Sequence, residues 1–325
     1  MDPNDANKTT FICHRGTFRF PKMPFGLCNA PATFQRLMDS VVTGLTFEIC
    51  LAYLDDIVFS HNLDTHFHCL GKLFTRLREA NLKLKPSKCH VLQRQVPFLG
   101  FRVSSDGVST DPATVDAILS WPTPTNLRQS QAFIGLCQYY RRFVPGFSET
   151  AAPLHALTRK GARFEWTAEC DNAFTQLKTA LSTAPVLALP NNDGEFILDC
   201  HASGNSIGAV LSQVQDGEER PLCYASQIYG KHEANYNVTC KELLAMVTVT
   251  KKFRQYLLGH PFKIQTDHAA LQRLKRTPEP IGQQARWLEL PEEFDYSIIH
   301  RPGSQHSNAD SLTTGRAGHS RTSPG

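Results

Sequence analysis

The sequence predicts a mixed α/β chain of the α+β kind, organised as about two domains. Three observations lead there. A chain of 325 residues is about twice the usual domain size. Its 41% hydrophobic and 20% charged residues suit a globular protein able to bury a core. Along the chain, short apolar strand-like runs exchange with segments whose apolar residues fall at helical spacing.

The elements follow in order. Phe34, Leu37, Met38, Val41, Val42 and Leu45 share a helical face over Pro31–Leu45, with Pro31 near the start. Phe47–Tyr53 reads as a buried strand, interrupted at Leu54-Asp55-Asp56 and resumed at Ile57–Phe59: a hairpin with two carboxylates at its tip. Leu70, Leu73, Phe74 and Leu77 mark an amphipathic helix. Strand-like segments follow at Leu82–Lys85 and Pro97–Val103, and Asp106-Gly107 marks a turn. From Asp111 to Leu181 the pattern is mainly helical, with Phe133, Leu136, Cys137 and Tyr140 on one face and Phe174, Leu177 and Leu181 on another. Ala184–Gly194 is the best linker. Strands are expected at Glu195–Cys200, Ser206–Gln213 and Pro221–Ser226, with Asp216-Gly217 turning the chain between the last two. A helix over Val238–Leu257, a strand Phe262–Thr266, a helix around Arg286–Leu290 broken by Pro291, and a strand Tyr296–His300 complete a mixed α/β domain. The Gly-, Ser- and Arg-rich tail after Thr314 is expected to be disordered.

Composition narrows the class. A net charge of +4 says little about partners. Between His61 and Ser105, however, eight Lys or Arg face only Asp64 and Glu79. Such a run either holds phosphates or is a solvated helix face. Ten cysteines from Cys13 to Cys240 include no Cys-x-x-Cys pair, which argues against a zinc site or a secreted disulfide framework and fits an intracellular protein, cytoplasmic or nuclear. Met1–Asp5 has no apolar core for a signal peptide, and no stretch is long and apolar enough to span a membrane.

Asp55 and Asp56 lie between two apolar strand halves. Two adjacent carboxylates beside a core are costly unless a cation neutralises them, and hard oxygen ligands at a hairpin tip suit Mg²⁺. The dipeptide alone equally describes an exposed Asp-Asp turn. Its surroundings carry more. Tyr53-Leu54-Asp55-Asp56 resembles the Y-x-D-D signature of reverse transcriptases. Met23–Gln35 (Met-Pro-Phe-Gly-Leu-Cys-Asn-Ala-Pro-Ala-Thr-Phe-Gln) resembles their nucleotide- and template-contacting segment, and Phe98-Leu99-Gly100-Phe101 their primer grip. Phe133–Leu136 running into Tyr139–Phe143 is similar to a segment that follows the palm in Ty3/gypsy-type retrotransposon polyproteins. The resemblance covers residues 1 to 314 with the motifs in the family's order.

The resemblance implies a partial reverse-transcriptase palm over 1–105, a helical thumb or connection over 106–189, a ribonuclease H-like domain over 190–314 and a tail over 315–325. It implies Asp55 and Asp56 as carboxylates for Mg²⁺ or Mn²⁺, Phe25 and Gly26 lining the nucleotide pocket, Gln35 on the template side, and Phe98, Leu99 and Gly100 at the primer. Lys85 or Lys88 would lie near the triphosphate or clamp the duplex. Partners would be dNTPs, template/primer and RNA–DNA hybrid. The family's further palm Asp falls just upstream of Met1, so polymerisation by this chain is expected to fail, and a cut palm is expected to expose apolar surface.

Glu242, Asp267 and Asp310 each read as surface acids in isolation. Together, Thr239–Ala245, Thr266-Asp267-His268 and Asn308–Leu312 resemble the metal cluster of the family's ribonuclease H, supported by Ile207–Gln213 and Tyr224–Ser226. In that pattern the first-strand carboxylate precedes Ala-Ser, and here His201 precedes Ala202-Ser203. Asp199 shares the strand face with residue 201 but is displaced by two strand rises, roughly 6.6 Å. Imidazole is a poor Mg²⁺ ligand, so nuclease activity is expected to be lost or reduced. The alternative is a non-catalytic nucleic-acid binder using Lys72–Arg102 and Tyr139–Phe143.

Overall fold

The computed structural model describes residues 2–46, 48–59, 63–266 and 293–300. The chain divides into two compact units, Met1–Phe98 and Leu99–Gly325.

The first unit opens with an exposed hairpin, β1 (Phe11–Cys13) and β2 (Gly16–Phe18), that the sequence reading did not anticipate. Helix α1 (Ala30–Val41) starts with Pro31 in its first turn and stops four residues earlier than its apolar pattern suggests. Val42 and Leu45, which extend that pattern, are buried from the turn that follows. Strands β3 (Cys50–Tyr53) and β4 (Asp56–Phe59) pair antiparallel, and α2 (Leu63–Glu79) buries Cys69, Leu73 and Leu77. Met38, Val41, Val42, Leu45, Cys50, Leu73 and Leu77 form the unit's core. The strand expected at Leu82–Lys85 is absent: Leu84 is exposed, and a short 3-10 helix, Pro86–Lys88, follows it. Pro86 has no N–H to offer a ladder and biases the residue before it to extended backbone. Strand β5 (Gln95–Phe98) closes the unit.

The second unit begins with the hairpin β6 (Phe101–Ser104) and β7 (Gly107–Thr110). The single strand expected over Pro97–Val103 is thus split at Leu99-Gly100, where both residues have positive φ (48° and 71°). Gly107 is required for packing: a Cβ there would lie 2.1 Å from the Leu187 carbonyl oxygen. That approach lets Val108 and Leu187 exchange two backbone hydrogen bonds, of 2.7 and 2.8 Å. The expected linker is therefore fastened to what surrounds it. The amide of Gln213 donates to the carbonyls of Asn191 and Gly194 as well.

Helices α3 (Pro112–Leu119), α4 (Leu127–Tyr139), α5 (Phe147–Thr150), α6 (Ala152–Leu157) and α7 (Ala168–Ser182) fill the expected helical region. Asn126 and Thr167 cap α4 and α7 by accepting from the N–H groups of Gln129 and Cys170, as N-cap side chains do. Phe133, Cys137, Phe143, Leu154 and Leu177 make the centre of this core.

Strands β8 (Phe196–Ala202), β9 (Ser206–Gln215) and β10 (Glu218–Ile228) pair antiparallel in succession, with left-handed Asp216 and Gly217 turning between the last two. Paired positive-φ residues match the twist of a tight hairpin. Helix α8 (Val238–Lys252) ends at Phe253 rather than running on, and α9 (Arg254–Leu257) follows. Strands β11 (Phe262–Thr266) and β12 (Tyr296–His300) fall where the sequence places them. They join a five-stranded sheet of order β10-β9-β8-β11-β12, in which β8–β11 and β11–β12 are parallel. Leu198, Leu211 and Ile264 pack with Leu243 and Met246 of α8 in a second core. The helix expected around Arg286–Leu290, Pro291 and the tail lie outside the described residues. No described helix is long and apolar enough to cross a membrane.

Candidate functional site

The β3–β4 turn puts Asp55 and Asp56 in solvent at one end of the hairpin, with Tyr53 paired to Asp56. Leu54 takes a positive φ of 53°, unfavourable for a branched side chain. A side chain holds it there. The Leu54 N–H donates to Gln35 Oε1 at 2.6 Å, while Gln35 Nε2 donates to Asp39 Oδ1 at 2.7 Å and reaches the Ala52 carbonyl at 3.4 Å. Gln35, expected to face a template, has its amide engaged in bracing this turn. Nothing in the sequence ties residue 35 to residue 54.

The other candidate residues of this unit, Phe98 excepted, are exposed. Phe25 is fully exposed, and Gly26 has φ 90° with open space where a Cβ would stand. Lys85 precedes the short helix and Lys88 ends it, both in solvent. Phe98 is half-buried. In the second unit, Leu99 and Gly100 are held in their left-handed turn by two phenols. The Tyr139 hydroxyl donates to the Leu99 carbonyl (2.5 Å) and the Tyr140 hydroxyl to that of Gly100 (2.6 Å), while Tyr139 stacks on Phe101 at 5.1 Å. The sequence flags these tyrosines as an aromatic cluster, not as supports of that turn.

The sheet brings a second set together. Asn237 caps α8 by accepting the Cys240 N–H at 2.8 Å, which sets Glu242 in the helix's second turn. Glu242 is only 2% exposed. Its Oε1 accepts the Ala202 N–H at 3.0 Å and lies 3.9 Å from His201 Nδ1. The helix carboxylate is thereby tied to the end of β8, and residue 201 is the strand position facing it. Asp199 is also buried, between Val210 of β9 and Gln265 of β11. Burial, followed by the nearby Glu242 and Glu233 carboxylates, pushes the Tyr229 hydroxyl well above its ordinary range. β11 ends at Thr266, fully buried, and Asp267 and Asp310 lie outside the described residues.

Among the described residues no group of three or more His, Cys, Asp or Glu is arranged to hold a metal ion. The donor chemistry differs between the two places. Paired exposed carboxylates at Asp55-Asp56 offer the oxygen ligands Mg²⁺ prefers. A buried Glu242 faced by an imidazole does not fit a hard cation.

Comparison with known proteins follows the same division. Residues 1–103 match the family model "Reverse transcriptase (RNA-dependent DNA polymerase)", and residues 166–264 match "RNase H-like domain found in reverse transcriptase". The Pol polyprotein of transposon 297 from Drosophila melanogaster is 40% identical over 315 residues, 96% of this chain and 29% of that protein. The transposon Tf2-3 polyprotein of Schizosaccharomyces pombe is 34% identical over 95% of this chain and 24% of its own length. A foamy viral protease-reverse transcriptase solved with double-stranded DNA superposes with a TM-score of 0.81 at 26% identity, covering 93% of this chain and 64% of that one. The chain belongs to the reverse transcriptase and ribonuclease H family of Ty3/gypsy-like retrotransposon Pol polyproteins. It spans about a quarter to a third of the length of the curated relatives it matches. Members of this family typically use divalent metal ions.

Proposed function

We propose that this chain is the palm-to-nuclease segment of a retroelement RNA-directed DNA polymerase, and that its ribonuclease H pocket is impaired by His201. The palm part would run over 1–105, the connection over 106–189 and the nuclease over 190–314. Asp55 and Asp56 would hold Mg²⁺ or Mn²⁺, which supplies charge neutralisation as a primer hydroxyl attacks the α-phosphorus of a dNTP and pyrophosphate leaves. Gln35 braces their turn, which would reduce the reorganisation that binding requires. Phe25 and Gly26 would meet the nucleotide. Lys85 and Lys88 would meet its phosphates or the duplex. Phe98, Leu99 and Gly100 would meet the primer, their turn steadied by Tyr139 and Tyr140. Template/primer and RNA–DNA hybrid would be the partners.

The nuclease carboxylates would be Glu242, Asp267 and Asp310, with His201 where the family has an acid. One observation carries this reading: His201 on β8 is the residue facing the buried Glu242, at 3.9 Å. An imidazole there removes an oxygen ligand from a site whose chemistry is charge neutralisation at a phosphodiester. The same observation favours a second reading, a chain that binds hybrid without cutting it. Hybrid cleavage in Mg²⁺ by the native chain and by His201→Asp separates them. One restored ion ligand, worth roughly 3 kcal/mol in the transition state, predicts a gain of about 100-fold. Equal, robust cleavage by both chains would refute impairment at residue 201. Tight hybrid binding with no cleavage by either would support the binder.

A further inference from the structure

Away from both carboxylate sites, the second unit contains a basic cleft of about 760 Å³. One wall is the 3-10 turn Arg141–Phe143 together with α5. Both lie against the edge strand β10, and two hydrogen bonds fasten α5 to it: the Ser148 N–H to Ser226 Oγ (2.8 Å) and the Ser148 hydroxyl to the Ser226 carbonyl (3.0 Å). The opposite wall is the last turn of α8, which contributes Lys251 and Lys252 above an apolar floor of Leu244 and Val247.

Arg141, Lys251 and Lys252 converge here, and no Asp or Glu lines the cleft among the described residues. Nor does an ion pair join any of the three to a described carboxylate; Glu293, whose carboxylate feels the Lys251 charge, pairs with Arg254 at 3.0 Å. Two lysines at a helix C-terminus are explained by the helix dipole. The guanidinium on a separate element, turned toward the same space, is not. Burial, and next the Arg141 charge, hold the Lys252 ammonium below the ordinary lysine range. Like charges gathered in a concave site raise each other's energy, and an anion seated between them relieves that cost. A guanidinium fork, two ammonium groups and the hydroxyl of Thr248 match the several oxygens of a phosphate better than a single carboxylate.

We propose that this cleft binds phosphate groups, whether of a small polyphosphate or of a nucleic-acid backbone. The site is independent of the metal chemistry at Asp55, Asp56 and Glu242. The test uses the full chain and three ligand-free forms: native, Arg141→Gln/Lys252→Gln, and the charge-retaining Arg141→Lys/Lys252→Arg. Inorganic tripolyphosphate and an RNA–DNA hybrid oligonucleotide are titrated into each. The proposal predicts that tripolyphosphate binding falls at least tenfold in the Gln variant and returns in the charge-retaining one. If the natural source is a nucleic-acid backbone, hybrid affinity falls in parallel and its logarithmic salt slope shrinks by about two. If the source is a small polyphosphate, hybrid binding stays unchanged while tripolyphosphate binding is lost. Protection of Lys252 from amine acylation by tripolyphosphate in the native chain reads the same site without any substitution. Absence of that protection, or affinities within twofold across all three forms for both ligands, would overturn the proposal.

Discussion

The two units bury apolar side chains to different extents. Among the described residues, the first gathers only Met38, Val41, Val42, Leu45, Cys50, Leu73 and Leu77 into its core and leaves Phe11, Ile12, Phe25, Phe67 and Phe74 in solvent. The second packs two large cores, one under the sheet and one among the helices. Apolar surface left in water contributes nothing to stability, at roughly 25 cal/mol for each Å² not buried. Asp55 and Asp56 sit on a small scaffold that needs Gln35 to hold its turn. Glu242 sits on a helix buried over much of its length, where the backbone of β8 holds the carboxylate. Position is secured locally in one unit and by the core in the other.

Core truncations test this difference most strongly. Leu198→Ala, at a fully buried centre of the sheet, should cost about 2–5 kcal/mol in urea unfolding, because the rigid surroundings cannot collapse into the gap. Leu73→Ala, in the thin core of the first unit, should fall at or below the bottom of that range and should leave the transition of the second unit in place. A Leu73→Ala cost equal to that of Leu198→Ala would erase the contrast. Cysteine reactivity gives a gentler probe. Cys13, Cys28 and Cys89 are exposed in the first unit, where Cys50 and Cys69 are buried, and Cys137, Cys170, Cys200 and Cys223 are buried in the second. Burial pushes the Cys137 and Cys223 thiols up to about 12. Since the thiolate is the nucleophile, a raised pKa leaves only about 1 part in 10⁴ reactive at pH 8. Alkylation of the folded chain at that pH should mark the three exposed cysteines at least 100-fold faster. Cys223 labelled as quickly as Cys28 would contradict the burial described here.

Legibility in the sequence follows the same division. In the sheet domain, the Asp216-Gly217 turn and strands β11 and β12 are read to the residue and β8 to β10 within about three residues, because a strand buried against α8 must keep its register. In the first unit the pattern misleads. Leu82–Lys85 alternates like a strand yet forms none, since Leu84 has no core to enter. The exposed β1–β2 hairpin has no burial pattern to betray it. At the candidate sites, the elements that carry the residues were legible and the contacts that support them were not. The Asp55-Asp56 hairpin, the Glu242 helix and the odd His201 all stand out in the sequence. The Gln35–Leu54, Tyr139–Leu99 and Glu242–Ala202 hydrogen bonds join residues 19 to 40 positions apart and leave no periodic trace.

On the proposed function, residue 201 decides whether the pocket at Glu242 takes a divalent cation. Mn²⁺ binding followed by electron paramagnetic resonance reads this directly, in a background of Asp55→Asn and Asp56→Asn that removes the hairpin carboxylates. With His201 in place the pocket should bind Mn²⁺ weakly, and His201→Asp should tighten binding by about 10- to 100-fold, the range over which changes around a metal site act. Equal, tight Mn²⁺ binding with either side chain at position 201 would contradict the account.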